Sequence, residues 1–291
     1  MRSPVRSTSI GRLVVRLVIL SIVVYLGLIG FIASQETRLV FANGRPLGDL
    51  RPAQPFEEVE LGGQDARQFA WVMRAPSDSD APWVLYLHGN DSTVASRFNI
   101  ARYESMRALG LNVVAPEYRG YAGLAGTPTE ASLTRDALTG YTYLRETLRI
   151  PPERIVVFGW SLGSGVAVNL ASRVPSSAVI LEGAPSSLVD VGRAQYPWVP
   201  VRLLMRNPFD SIAKVSAITA PMLFLHSPED VIVPIDHARR LFDAVRSPRE
   251  FVEVRGGHVR AATEDGPTYF GAIERFLARY GVLAAACCAG P

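Results

Sequence analysis

The chain has 291 residues, 48% of them hydrophobic and 20% charged, with a formal net charge of +3. So small a surplus, with four arginines before residue 17 contributing to it, excludes a nucleic-acid-binding surface. The two cysteines, Cys287 and Cys288, are adjacent near the end of the chain, which excludes a disulfide framework and a cysteine metal site; neither cofactor nor metal is expected.

From Leu17 to Gln35 run 19 uncharged residues, mostly Val, Leu and Ile, close to the ~20 that a membrane-spanning helix needs. Arg2, Arg6, Arg12 and Arg16 precede them, so the positive-inside tendency puts the amino terminus in the cytoplasm and the following domain on the far side. A cleaved signal peptide is the alternative. Against it, the apolar region exceeds the usual ~7–15 residues, and large residues occupy the positions three before a cut at Ala33 or Ser34. Residues 1–35 therefore read as a cytoplasmic flank and anchor, and 36–55, rich in Arg, Gly and Pro, as a linker. Residues 56–282 have the length of one α/β domain, and 283–291 read as a flexible tail.

Within the domain, Phe56 to Leu61 and Arg67 to Met73 read as two antiparallel strands around the turn residues Gly62-Gly63-Gln64-Asp65. Trp83-Val84-Leu85-Tyr86-Leu87 is an apolar strand followed by His88-Gly89-Asn90, and Leu111 to Ala115 is another. Glu117 and Arg119, just beyond it, read as charges that order a loop. Thr129 to Leu148 forms a helix carrying Asp136, with Glu130 in its acidic first turn. Arg154 to Phe158 is a β-branched and aromatic run typical of a buried parallel strand, and Ser164 to Arg173 a helix that ends before Pro175. Ala178 to Leu181 and Met222 to His226 are further strands, Ile235 to Val245 a helix on which His237 reads as a surface residue, and Glu250 to Val254 a last strand. Phe270 to Tyr280 closes the domain as a helix. Alternating strands and helices predict a largely parallel sheet with right-handed crossovers. Between Pro185 and Asp210 the rhythm breaks, which marks the place for a small cap; Tyr196, Trp198 and Leu204 there could wall an acyl-chain pocket or simply pack a short helix.

Gly159-Trp160-Ser161-Leu162-Gly163 lies between a predicted strand and a predicted helix, the context a nucleophile elbow requires. Ser161 is then the candidate nucleophile, with Gly159 and Gly163 giving clearance where strand and helix close on each other. A serine hydroxyl needs a base and an acid that orients the base. Of the four histidines at 88, 226, 237 and 258, His258 follows Gly256-Gly257 at the end of a strand and is the candidate base, while His88 reads as a loop organiser. The acid is expected between Ser161 and His258, where Glu229 and Asp230 follow the strand that ends at His226; Asp230 is preferred and Glu229 competes. The backbone N–H groups of Leu162 and Asn90 are the candidate oxyanion donors.

With Leu85 to Asn90, Pro116 to Tyr121, Gly159 to Gly165, His226 to Pro234 and Gly256 to His258, the chain resembles the α/β-hydrolase superfamily. More narrowly, it is similar to the single-pass, membrane-anchored branch that includes protein depalmitoylases. The resemblance covers about residues 56 to 280. It implies a mostly parallel central sheet with helices on both faces, and Ser161, Asp230 and His258 as the catalytic triad. Asp230 is favoured over Glu229 because the family acid stands three residues before Val233, the first of the Val-Pro pair. Two stretches depart from the family pattern: Ala122 to Glu130, and Asp91-Ser92-Thr93, where Asp91 is expected to turn outward and cap the next helix. The resemblance implies a membrane-anchored serine hydrolase of carboxylic esters or thioesters acting on a small-molecule or lipid acyl substrate. A peptidase or amidase of the same fold is the alternative, and a non-catalytic tethered scaffold a further one. Of the 30 basic residues only Lys214 is a lysine, a bias expected of a GC-rich bacterial genome.

Overall fold

Strands whose residues are apolar on both faces need cover on both, and in the computed structural model eight strands form one sheet between two layers of helices. The structure describes residues 9–62, 67–76 and 81–284, so Cys287, Cys288, Arg2 and Arg6 lie outside the described residues.

The strands are β1 (Phe56–Leu61), β2 (Gln68–Met73), β3 (Trp83–Leu87), β4 (Asn112–Pro116), β5 (Ile155–Trp160), β6 (Ala178–Glu182), β7 (Met222–His226) and β8 (Arg249–Glu253). Their spatial order is β1-β2-β4-β3-β5-β6-β7-β8. β1 and β2 pair antiparallel, as does β2 with β4, and every other pairing is parallel. The alternating pattern predicts this largely parallel sheet, and its order is the architecture that the resemblance to α/β hydrolases implies. The central strands β3 to β7 are buried along their whole length, whereas β1, at the antiparallel edge, exposes Glu57, Glu58 and Glu60.

The amino-terminal α1 (Ser9–Ser34) and the short α2 (Glu36–Val40) precede the sheet. Gly11–Ser34 is, among the described residues, the one helix long and apolar enough to cross a membrane. α4 (Glu130–Thr142), α5 (Leu162–Ala171) and α8 (Asp236–Ala244) cover one face of the sheet with Leu133, Val166, Leu170 and Leu241. α3 (Arg97–Ala108), α9 (Gly257–Glu264) and α10 (Gly266–Arg279) cover the other with Tyr103, Met106, Ala261, Ile273 and Phe276. α4 begins at a capping box, in which Thr129 and Ser132 satisfy each other's backbone N–H groups, and it continues as a π-turn over Tyr143–Thr147. Residues 185–210 contain α6 (Leu188–Gln195) and α7 (Val201–Leu204), two short helices over the carboxyl ends of the strands.

Candidate active site

Ser161 is the single residue between β5 and α5, and its backbone is held at φ 54°, ψ −120°. A side chain there is strained, and persists only where the surroundings fix it. They do so on three sides. Its N–H donates to Glu182 O at 2.8 Å, its carbonyl accepts from Ser164 N–H at 2.9 Å, and Ser164 Oγ closes the turn onto Gly159 O at 2.8 Å. The approach of helix to strand leaves no room for side chains at two positions. A Cβ on Gly159 would run into Gly163 and Ser164, and one on Gly163 into the carbonyls of Leu87 and His88.

His258 stands at the start of α9, after Gly256 and Gly257, both with positive φ. That turn carries the imidazole across to β5, where Nε2 lies 2.7 Å from Ser161 Oγ and Nδ1 2.6 Å from Asp230 Oδ2. Trp160 Nε1–H holds the His258 carbonyl at 3.0 Å, and at Gly183 a Cβ would press on the ring at 3.2 Å. Asp230 is buried in the loop after β7, and its Oδ1 accepts the N–H groups of Ile232 at 2.9 Å and Val233 at 2.8 Å. Burial alone would raise its pKa. Hydrogen bonds with His226 and His258, the His258 charge and the Val233 N–H together overcome that and hold the carboxyl well below the usual carboxylate range. Its neighbour Glu229 is exposed and instead accepts the Gly256 N–H at 3.2 Å, so of the two carboxylates it is Asp230 that meets the imidazole.

The sequence alone assigns His226 no part in the site. It is buried beneath Asp230, with Nε2 2.8 Å from Val233 O and 3.4 Å from Asp230 Oδ2. Its Nδ1 is buried without a hydrogen-bond partner among the described residues, as suits the tautomer that keeps its proton on Nε2. A histidine as the last residue of β7, four before an acid, is the only local signal of this backing.

Leu162 and Asn90 line one cavity with Ser161. The Leu162 N–H, at the first position of α5, is among the four that a helix leaves without an intrahelical partner. The Asn90 side chain fixes its loop from outside: Oδ1 accepts Ala42 N–H and Tyr121 O–H, both at 2.8 Å, and Nδ2 donates to Val40 O at 2.8 Å. Asp91 departs from expectation. It caps no helix, because α3 begins six residues later behind Ser96. At φ 51° its carboxylate faces outward to Arg45, with contacts of 2.6 and 2.7 Å. The Arg45 hydrogen bond, working against slight burial, lowers its pKa.

Beneath the Asn90 loop, His88 Nε2 lies 2.8 Å from Glu117 Oε1, with both side chains fully buried. Glu117 also accepts the N–H groups of Val94 and Tyr118 at 3.0 Å, which ties the β3 and β4 loops together. Arg119 and Asp136 form a similar brace, at 2.6 Å between Nη2 and Oδ1.

The cavity above Ser161 has a volume of about 370 Å³ and a mostly apolar lining. Residues 84–280 match the family model described as the alpha/beta hydrolase family. The chain belongs to that family. An uncharacterized protein of Mycobacterium tuberculosis is 35% identical to this hydrolase over 261 residues, 88% of this chain and 92% of the other. The lysophosphatidylserine lipase ABHD12 of Danio rerio is 33% identical over 196 residues; this alignment spans 61% of the chain but only half of the lipase. Among solved structures, a Pyrococcus furiosus esterase superposes with a TM-score of 0.66 at 19% identity, covering 81% of this chain and 97% of the esterase. This α/β hydrolase thus has lipase relatives in sequence and esterases among its structural neighbours.

Proposed function

We propose that this α/β hydrolase is a membrane-anchored serine hydrolase cleaving carboxylic ester or thioester bonds of acyl substrates. The observation that carries the reading is the chain of contacts from Ser161 Oγ to His258 Nε2 at 2.7 Å and from His258 Nδ1 to Asp230 at 2.6 Å, on the floor of an apolar cavity. As Ser161 Oγ attacks the acyl carbonyl, His258 takes its proton, and Asp230 holds the imidazole in the required tautomer and stabilises its charge. The Leu162 and Asn90 N–H groups receive the oxyanion. When the tetrahedral centre collapses, His258 returns the proton to the departing alcohol or thiol, leaving an acyl-Ser161 ester. Water, deprotonated by His258, then attacks this ester and releases the carboxylic acid and free Ser161.

The cap wall of Leu188, Val191, Trp198 and Leu204 suits a hydrocarbon chain better than a peptide, and the named lipase and esterase relatives point the same way. This favours esters over the amide alternative. α1 serves as an uncleaved anchor, with the hydrolase domain on the extracytoplasmic side, because arginines precede its apolar run. Intact mass of the protein purified from membranes would retain residues 1–35, whereas a mature chain starting near residue 34 would replace the anchor by a signal peptide.

Labelling of the full chain by a fluorophosphonate, together with turnover of p-nitrophenyl esters of rising chain length beside a peptide amide, tests the chemistry. Ser161→Ala should abolish labelling and lower kcat/KM for esters by ~10⁴-fold or more. Folded wild-type protein that neither labels nor turns over any ester would refute the reading in favour of a scaffold; amide turnover exceeding ester turnover would favour a peptidase.

A further inference from the structure

The cavity above Ser161 has walls of two origins. One is the cap; the other is the end of α1 with α2, which contributes Ile32, Ala33, Leu39 and Val40. A helix that served only as a tether would need no fixed relation to the domain, yet α1 is fastened to the cap at two levels and α2, directly after it, at a third. Tyr25 Oη donates to Trp198 O at 3.0 Å, Ile29 is buried against Val199 and Val201, and the buried Glu36 carboxylate is ringed by donors. Glu36 accepts from Arg206 N at 2.6 Å and Nε at 3.0 Å, and from Asn207 N at 3.0 Å and Nδ2 at 3.1 Å.

These contacts fix a depth. At 1.5 Å per residue, Tyr25 lies about 13 Å along the axis from Ser34. The apolar stretch of α1 begins at Leu13 and is interrupted only by Arg16. With the ~30 Å hydrocarbon layer starting at Leu13, it ends near Ala33, and Tyr25, ~12 Å inside that far boundary, lies in the far leaflet with the Trp198 backbone bonded to it. The cap surface has the matching composition. Tyr196 and Trp198 are half exposed and Leu203 is 84% exposed, with the charged ends of Arg193 and Arg202 beside them. Aromatic and basic side chains around exposed leucine are what an element seated in a lipid interface presents.

We propose that the cap is immersed in the leaflet around the C-terminal part of α1, and that the acyl chain of a bilayer-resident ester passes laterally along Ile32, Ala33 and Leu39 to Ser161. The membrane helix is then a wall of the substrate site as well as an anchor. The substrate class is an amphiphile with a long acyl chain and an ester near its headgroup. Such a chain moves from lipid into an apolar cavity without crossing water. The chemistry at Ser161 rests on the serine-hydrolase reading, and the immersion rests on α1 being an anchor.

Two measurements on the full chain in phosphatidylcholine nanodiscs test it. First, in the Ser161→Ala background, lipid brominated along its acyl chains should quench part of the tryptophan emission, and Trp198→Phe should remove that quenched part, since Trp71, Trp83 and Trp160 are buried in the core. Equal quenching with and without Trp198 would overturn the immersion. Second, Ala33→Phe, which narrows the helix wall, should cut turnover of p-nitrophenyl palmitate by about tenfold or more. It should lower p-nitrophenyl acetate turnover and diisopropyl fluorophosphate labelling much less, so that the palmitate-to-acetate ratio of turnover falls by about tenfold. Ile32→Ser, which removes apolar surface and puts a hydroxyl in its place, should give the same split. Equal effects on both esters, or none on either, would overturn the shared wall. Inactivity of the wild type towards both esters would defeat the hydrolase reading, while the bromolipid result would still decide the immersion.

Discussion

A serine held at φ 54°, ψ −120° costs on the order of 1–3 kcal/mol, and the folded protein must keep supplying the contacts that enforce it. Gly163 is the most exposed to failure of these contacts. A methyl there would meet the backbone carbonyls of Leu87 and His88, which cannot move without shifting the loop that presents Asn90. Gly163→Ala should therefore lose ~1–3 kcal/mol or more in thermal unfolding, as overpacking does. On the proposed mechanism ester turnover should fall about a hundredfold or more, because Ser161 and the proposed oxyanion donors would be displaced together; unchanged turnover would show that the turn can relax. Asp230→Asn is a subtler change. It preserves shape but offers the wrong partner to His258 Nδ1, so kcat should fall by ~10⁴-fold, as it does when the orienting aspartate of a triad is replaced. The folded carboxyl is held below its ordinary pKa. Its stabilisation is therefore complete above the unfolded value of ~3.9 and is lost as pH falls through the folded one, and the stability gap between wild type and this variant should close on acidification below about pH 4. Ser161, Asp230 and His258 could be picked from sequence because each stands at a strand end with a local signature. The supports were not legible: Asn90 is tied to Val40 and Ala42, 50 and 48 residues away, and no local pattern encodes such a pairing.

At the scale of elements, the strands follow their apolar runs to within a residue or two, since a buried parallel strand leaves no choice of side chain. Helix starts are less faithful: α5 begins at Leu162, two residues ahead of expectation, because the elbow runs directly into it. His237 shows a larger departure. An amphipathic α8 considered alone turns this residue to solvent, but the cap folds over it. Ser186 Oγ then lies 2.9 Å from its Nδ1, Arg240 reaches both Ser186 and the ring, and Asp190 lies beside Arg240 at 3.4 Å. Burial, then the Arg240 charge, lower the His237 pKa, against weaker opposing pulls from Asp190 and Asp236. With the folded pKa depressed, the unfolded chain takes up a proton that the folded one refuses, so stability falls as pH drops below the unfolded value of ~6.5. His237→Asn, which keeps an acceptor near the Nδ1 position without titrating, should flatten the melting temperature between about pH 7 and pH 5. Parallel curves for the two proteins would mean that the cap joint does not sense this proton.

Over the whole molecule, the layer behind the site is held by charges that no stretch of sequence displays together. Arg102 of α3 is fully buried and forms a bidentate pair with Glu182 at the end of β6, 80 positions later, with contacts of 2.5 and 2.8 Å. The same guanidinium reaches Val259 O at 3.2 Å and lies 4.6 Å over the Trp160 ring, while Tyr269 O–H donates to Glu182 at 2.6 Å. Five elements meet there: α9 carries His258, and β5 ends at Trp160, next to Ser161. Removing one charge of such a pair leaves the other buried and uncompensated, so Arg102→Met should cost ~3–5 kcal/mol in denaturant unfolding. Replacing both, as Arg102→Met with Glu182→Leu, removes the stranded charge and leaves chiefly the Tyr269 hydroxyl unsatisfied, at ~1–3 kcal/mol. The double variant should therefore be more stable than Arg102→Met alone, an inversion that only a charge-compensation role produces. If the two losses simply add, the pair contributes packing and position rather than compensation, and the hold on His258 must come from the Trp160 hydrogen bond instead.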